Sequence, residues 1–263
     1  MFKEVGELYR GSWRFALACP LLFAVPVAVE LVQHAAELHI GMYDSVATMK
    51  ALGDHPLRLG IGIAKSLSLL VAGYWFLRFM GHGEDAARAG AWDARAARLF
   101  APVVLWTLGW TAVTLWGGAP FRLAGVGDGA ILAMGVAMFV VVTLIDLYLA
   151  CWKAGAAVGN PALTFTRSFT LVHGHFGWAL GVFALCFLPL MVPHYAIAGL
   201  AIGQPAPVLI AMLVADSVLV GFLAVVLAGS SFLVARRATA AAGVPLLPDT
   251  REPATIRGAL QPA

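Results

Sequence analysis

Apolar runs of about twenty residues alternate along the chain with short polar stretches rich in glycine, proline and charge. A helix rises about 1.5 Å per residue, so a run of this length matches the roughly 30 Å hydrocarbon core of a bilayer. Six such runs are predicted: Trp13–Ala36, Leu57–Phe79, Leu99–Trp116, Ala130–Cys151, Gly177–Ala198 and Val208–Ala235. None has the period-2 alternation of a barrel strand. Pro20 and Pro26 fall inside the first run and should kink it.

The connections carry their own pattern. Residues 2–12 place Phe2, Val5, Leu8 and Tyr9 on one helical face and Lys3, Glu4, Glu7 and Arg10 on the other, the mark of an interfacial helix. Residues 37–56 form a polar loop. The stretch 81–98 is rich in Ala and Arg and favours a surface helix. Residues 161–178 form a second amphipathic lead-in, entering the fifth run. The fold class is therefore all-α, a polytopic membrane helical bundle with interfacial helices. The bundle forms a single domain over 1–237, and 238–263 lacks an apolar pattern and reads as a disordered tail.

Composition sharpens the class. Hydrophobic residues make up 61% and charged residues 12%, with a mean hydropathy of +0.86, whereas a soluble domain carries roughly 25% charge. The net charge of +3 says little until it is sorted by side. With six spans, one side collects thirteen Lys and Arg residues and the other three, Lys50, Arg58 and Arg122, while Lys65 lies within a span. The positive-inside rule then puts both termini in the cytoplasm. No basic block points to nucleic acid, so membrane lipids are the expected partners, and oligomeric state leaves no sequence signature. Cys19, Cys151 and Cys186 lie in or beside apolar runs without a CxxC, as buried free thiols do.

Four ionisable residues fall inside predicted spans: Glu30, Lys65, Asp146 and Asp216. Each costs roughly 2.5–3.5 kcal/mol to insert and needs an interior partner. Lys65 and Asp216 lie at similar depth, about 12 Å from the outer ends of their spans, with Glu30 slightly shallower. His34 and Glu37 continue the Glu30 face at i+4 and i+7. His194 follows Pro193 near the outer end of the fifth span. A polar cluster of Glu30, His34, Lys65, His194 and Asp216 is therefore expected in the outer half. It suits an ion pair holding the bundle together or a site for a proton, cation or lipid headgroup, while Glu30, His34 and Glu37 with His194 could ligate a divalent metal. Lys65 should contact Asp216, Glu30 or both. Asp146 should pair with Arg78, Arg98 or Lys153, and His173 and His175 suit anionic lipid. Ser12 and Ser168 have no triad partners, and no phosphate loop or dinucleotide fingerprint follows a strand.

Two longer-range patterns remain. Trp13-Arg14-Phe15-Ala16-Leu17-Ala18 aligns with Phe176-Gly177-Trp178-Ala179-Leu180-Gly181, and Pro26 and Pro189 follow at equal distance, which suggests a parallel duplication. The second copy also carries Ala162, Ser168, Leu171, Gly174 and Trp178 in the spacing Ala-x5-Ser-x2-Leu-x2-Gly-x3-Trp. This resembles a motif of uncharacterised bacterial inner-membrane proteins of the YciC-like type, and of the membrane domain of some glycerophosphoryl diester phosphodiesterases. The resemblance implies six helices in the inner membrane. It carries over no catalytic residue and no cofactor. The leading expectation is a non-enzymatic membrane or envelope protein. The alternatives are a carrier of lipid or small solute that uses the polar cluster, and a metal-dependent membrane enzyme.

Overall fold

The computed structural model describes residues 1–248. Among these residues the regular structure is helical throughout: α1 (Phe2–Ala18), α2 (Pro20–His39), α3 (Val46–Ala51), α4 (Pro56–Gly81), α5 (Ala86–Gly90), α6 (Ala94–Trp116), α7 (Gly118–Leu123), α8 (Asp128–Tyr148), α9 (Ala150–Ala157), α10 (Phe165–His173), α11 (Phe176–Leu200) and α12 (Ala206–Ala241). Six segments are long and apolar enough to cross a membrane: α2, α4, α6 with α7, α8, α11 and α12. The chain is thus an all-α multi-pass membrane bundle. Met1 packs against Gly181, and Pro245 and Leu246 against Asn160, so both described ends lie at one end of the bundle, here the termini end. Loops 40–45, 52–55 and 201–205 lie at the opposite, far end.

The first apolar run is divided. The chain breaks at Cys19, and Pro20 starts a new helix instead of kinking a continuous one. Proline lacks the N–H that the first helical position would leave unbonded, and its φ suits that position. Helix α1 therefore extends well past the interfacial segment predicted over 2–12. It buries Val5, Leu8, Ser12 and Phe15 against α4 and α12, with Phe15 edge-on to Phe76 and Phe79. Gly229 on α12 is required here, because a Cβ would overlap Leu8 and approach Phe76 to 2.7 Å.

Proline also explains a contact of α1. Pro189 inside α11 has no N–H to give to Leu185 O, four residues earlier. The Tyr9 hydroxyl supplies the donor, at 3.4 Å from Leu185 O and 3.2 Å from Cys186 O. Burial pushes this hydroxyl up to about 12, so it stays protonated for the task.

The termini end is sewn by side chains bonding to backbone. Arg78, 2% exposed, donates to Ala89 O, Ala91 O and Ala157 O, joining α4 to α5 and α9. Ser168 on α10 bridges the break at Leu149 between α8 and α9. It donates to Tyr148 O at 2.6 Å and accepts from Trp152 N at 3.1 Å. The motif serine thus has a structural role, and Trp178 has another, stacked under Arg237 at 4.6 Å. Asp146 pairs with Lys153 at 2.5 Å, one of its three expected partners.

The expected tail needs correction. Helix α12 continues to Ala241, and the Asn160 side chain donates to Pro245 O and Leu246 O at 3.0 Å each, which docks 242–248 onto the bundle. The rest of the predicted tail, 249–263, lies outside the described residues.

Candidate functional site

Helix α2 presents Glu30, Gln33, His34 and Glu37 on one buried face, at i, i+3, i+4 and i+7. Helix α4 brings Arg58 and Lys65, also seven apart. Asp216 comes from α12, His194 from α11, and Tyr43 from the loop after α2. Glu30 and Asp216 are each 1% exposed and His34 6%, whereas the Lys65 and His194 side chains form the rim at 20% and 16%.

The contacts form a connected network. Lys65 Nζ lies 2.6 Å from Glu30 Oε2. His34 Nε2 lies 3.5 Å from Glu30 Oε1 and 3.2 Å from Asp216 Oδ2. His194 Nδ1 lies 2.7 Å from Asp216 Oδ1. On its other side, His34 Nδ1 lies 2.9 Å from the Tyr43 hydroxyl and 3.3 Å from Glu37 Oε2. Glu37 accepts from Tyr43 at 2.7 Å, and from Gln33 and Arg58 at 3.0 Å each. Burial and the Glu37 carboxylate beside it push the Tyr43 hydroxyl well above its ordinary value, which keeps it a donor.

All five residues expected in the polar cluster meet, together with Glu37. Of the alternatives expected for Lys65, the structure has the Glu30 pair alone. Lys65 takes Glu30, while Asp216 is held between the two histidines. Sequence reasoning missed Gln33, Tyr43 and Arg58. Gln33 and Arg58 had a readable signal, since each shares a helical face with a residue already singled out. Tyr43 had none. It reaches His34 because Gly41, at φ +76, turns the loop back, and because Gly203 N donates to Tyr43 O at 2.8 Å. In formal charge the network holds three carboxylates against two permanent cations, so a single proton on either histidine balances it.

A second feature lies elsewhere. A cavity of about 410 Å³ opens between α4, α6, α8, α11 and α12, lined by apolar side chains including Leu70, Leu77, Trp110, Phe183 and Leu227. Trp106 Nε1 and Thr107 Oγ1 on its walls are buried without a hydrogen-bond partner, and the buried Tyr74 hydroxyl beside them has only the nearby Arg78 guanidinium. Tyr74 is 9% exposed. The Asp146–Lys153 pair lines the same cleft toward the termini end. An open groove of about 870 Å³ at the far end is lined by Lys50, Asp54, Arg122 and Asp128, with Arg122 ion-paired to Asp54. None of the five cluster residues lines either cavity.

The remaining nucleophile candidates are occupied or masked. Ser12 donates to Leu8 O and Ser168 to Tyr148 O. Burial pushes the Cys151 thiol up to about 12. No protein-family model, curated protein or solved structure matches this chain.

Proposed function

We propose that this chain is a non-enzymatic multi-pass protein of the bacterial inner membrane, with both termini cytoplasmic, that holds a membrane lipid in the cleft between α4, α6, α8 and α12. The observation that carries the reading is the trio of buried donors at Tyr74, Trp106 and Thr107, the last two without a partner, on a largely apolar wall. A buried polar group without a partner costs about 1–3 kcal/mol. Indole N–H only donates and the two hydroxyls can donate, so the fitting ligand offers acceptor oxygens beside a long apolar body. A lipid with ester-linked acyl chains has both. The volume falls in the range of roughly 300–1,000 Å³ usual for ligand sites.

The orientation rests on the eleven-to-three division of Lys and Arg between the two ends among the described residues. The placement in the inner membrane rests on the YciC-like motif. The non-enzymatic reading rests on Ser12 and Ser168 bonded to backbone carbonyls and on the buried thiols of Cys151 and Cys186.

The test is native mass spectrometry of the full chain purified in mild detergent. Wild type should retain one lipid, and Leu227→Trp, which fills the cleft, should lose it while keeping its helical circular dichroism. Folded wild type without lipid, or equal retention by the filled variant, would refute the reading.

A further inference from the structure

Independently of the lipid cleft, we infer that Glu30, His34 and Asp216 form a binding site for a divalent first-row transition metal ion. One atom of each side chain converges on a common point. His34 Nε2 lies 3.2 Å from Asp216 Oδ2 and 3.5 Å from Glu30 Oε1, and the three ligand atoms lie within 4.8 Å of one another. For a tetrahedral ion with bonds of about 2.0–2.2 Å, neighbouring ligand atoms sit roughly 3.3–3.6 Å apart. Two of the trio's three edges, those from His34, therefore already match such a site, and the third lies within 4.8 Å.

The second observation is what holds each ligand from behind. His34 turns Nδ1 toward Glu37 Oε2 and the Tyr43 hydroxyl, the carboxylate–histidine arrangement that fixes the ring of a metal ligand and raises its basicity. Glu37 is in turn fixed by Gln33 and Arg58. Glu30 presents Oε1 to the centre while Lys65 holds Oε2. Asp216 presents Oδ2 while His194 holds Oδ1. Three converging atoms thus face three outward atoms that are each tethered. An ion pair serving only to join helices has no need of that division.

One imidazole and two carboxylates suit zinc, manganese or ferrous iron. They do not suit copper(I), which prefers sulfur, and the three cysteines lie elsewhere. Three protein ligands leave a fourth position for water. The partly exposed Lys65 and His194 mark the way in.

The full chain, stripped with chelator and re-equilibrated with limiting zinc, should bind one ion tightly, and with zinc in excess its thermal stability should rise with the logarithm of the free metal concentration. Asp216→Asn and His34→Gln should abolish that ion. Glu37→Gln should weaken it about 10–100-fold. The pair His173→Gln and His175→Gln should leave it intact, as should Leu227→Trp, which separates this site from the lipid cleft. Should the ligand variants not fold, cobalt binding by wild type still decides, because a four-coordinate site gives intense visible bands. Folded wild type with no tightly bound ion, or with cobalt only in the weak octahedral form, would overturn the inference.

Discussion

Replacing Lys65 by methionine isolates the charge that joins α2 to α4. Methionine keeps most of the length and apolar surface of lysine, so the change is electrostatic. It leaves Glu30, 1% exposed, without the cation 2.6 Å away. Removing one partner of a fully buried pair typically costs about 3–5 kcal/mol. The Lys65 side chain is 20% exposed and sits in the polar half of the bundle, which places the expected cost near the bottom of that range, about 3 kcal/mol. At roughly 2–4 °C per kcal/mol for a chain of this size, the thermal midpoint should fall by about 6–12 °C. Glu30→Gln should cost less, because Lys65 on the rim can extend toward the far-end water. The double variant should recover part of the loss, with a coupling of at least about 1 kcal/mol. Asp216→Asn should give no such recovery, since its partners are His34 and His194. Tryptophan fluorescence during heating, in detergent with chelator present, reads all four proteins. Silent single variants, or a double variant equal to their sum, would show that Lys65 and Glu30 are not partners.

Two further predictions concern the termini end. Asp93 caps α6 by accepting from Arg95 N and Ala96 N, so Asp93→Ala should lower stability by about 1 kcal/mol. The Ala96 amide first, then the Arg95 amide and the nearby Arg78, hold its carboxyl below the usual carboxylate range. Its stabilisation is therefore complete above the unfolded value near 4 and is lost as pH falls through the lower folded value; a wild-type advantage that persisted at lower pH would contradict this. Reporter fusions at Gly83 and Gly125, both left-handed turn residues with open space around them, should report cytoplasmic and external locations respectively. The same location for both would refute the six-span topology.

The spans were legible because their signal is local: twenty apolar residues fix length and environment together. The breaks were less so. Pro20 reads equally as a kink inside one helix or as the first residue of another, and what decides is the packing of α1 against α4 and α12. The break at Leu149 depends on Ser168, which closes it from about five helical turns of chain away. The cluster was legible in depth but not in azimuth. Counting residues from span ends put Glu30, Lys65 and Asp216 at one level, but only helix rotation assigns Lys65 to Glu30 and leaves Asp216 to the histidines. Tyr43 was invisible because a loop, with no period, delivers it.

Helix α12 makes the two halves of the bundle differ. It is the best-buried span, with 44% of its most apolar stretch inside, against 11% for α6 and 6% for α8. In the far half, Asp216 ties it to α2 and α11 through histidines, and Gly221 lets Phe23 and Val27 of α2 approach its backbone. In the other half, Gly229 admits Leu8 and Phe76 on one flank, while the opposite flank faces the cleft toward α6 and α8. Two of the helices that wall the cleft, α6 and α8, are thus the ones least committed to the protein core. Few buried contacts mean low local stability, and segments of low local stability are the ones able to part and close around a ligand. A fixed polar lock in one half and a loosely walled, largely apolar cleft in the other would allow the proposed lipid to enter from the side without disturbing the charges that hold the bundle together.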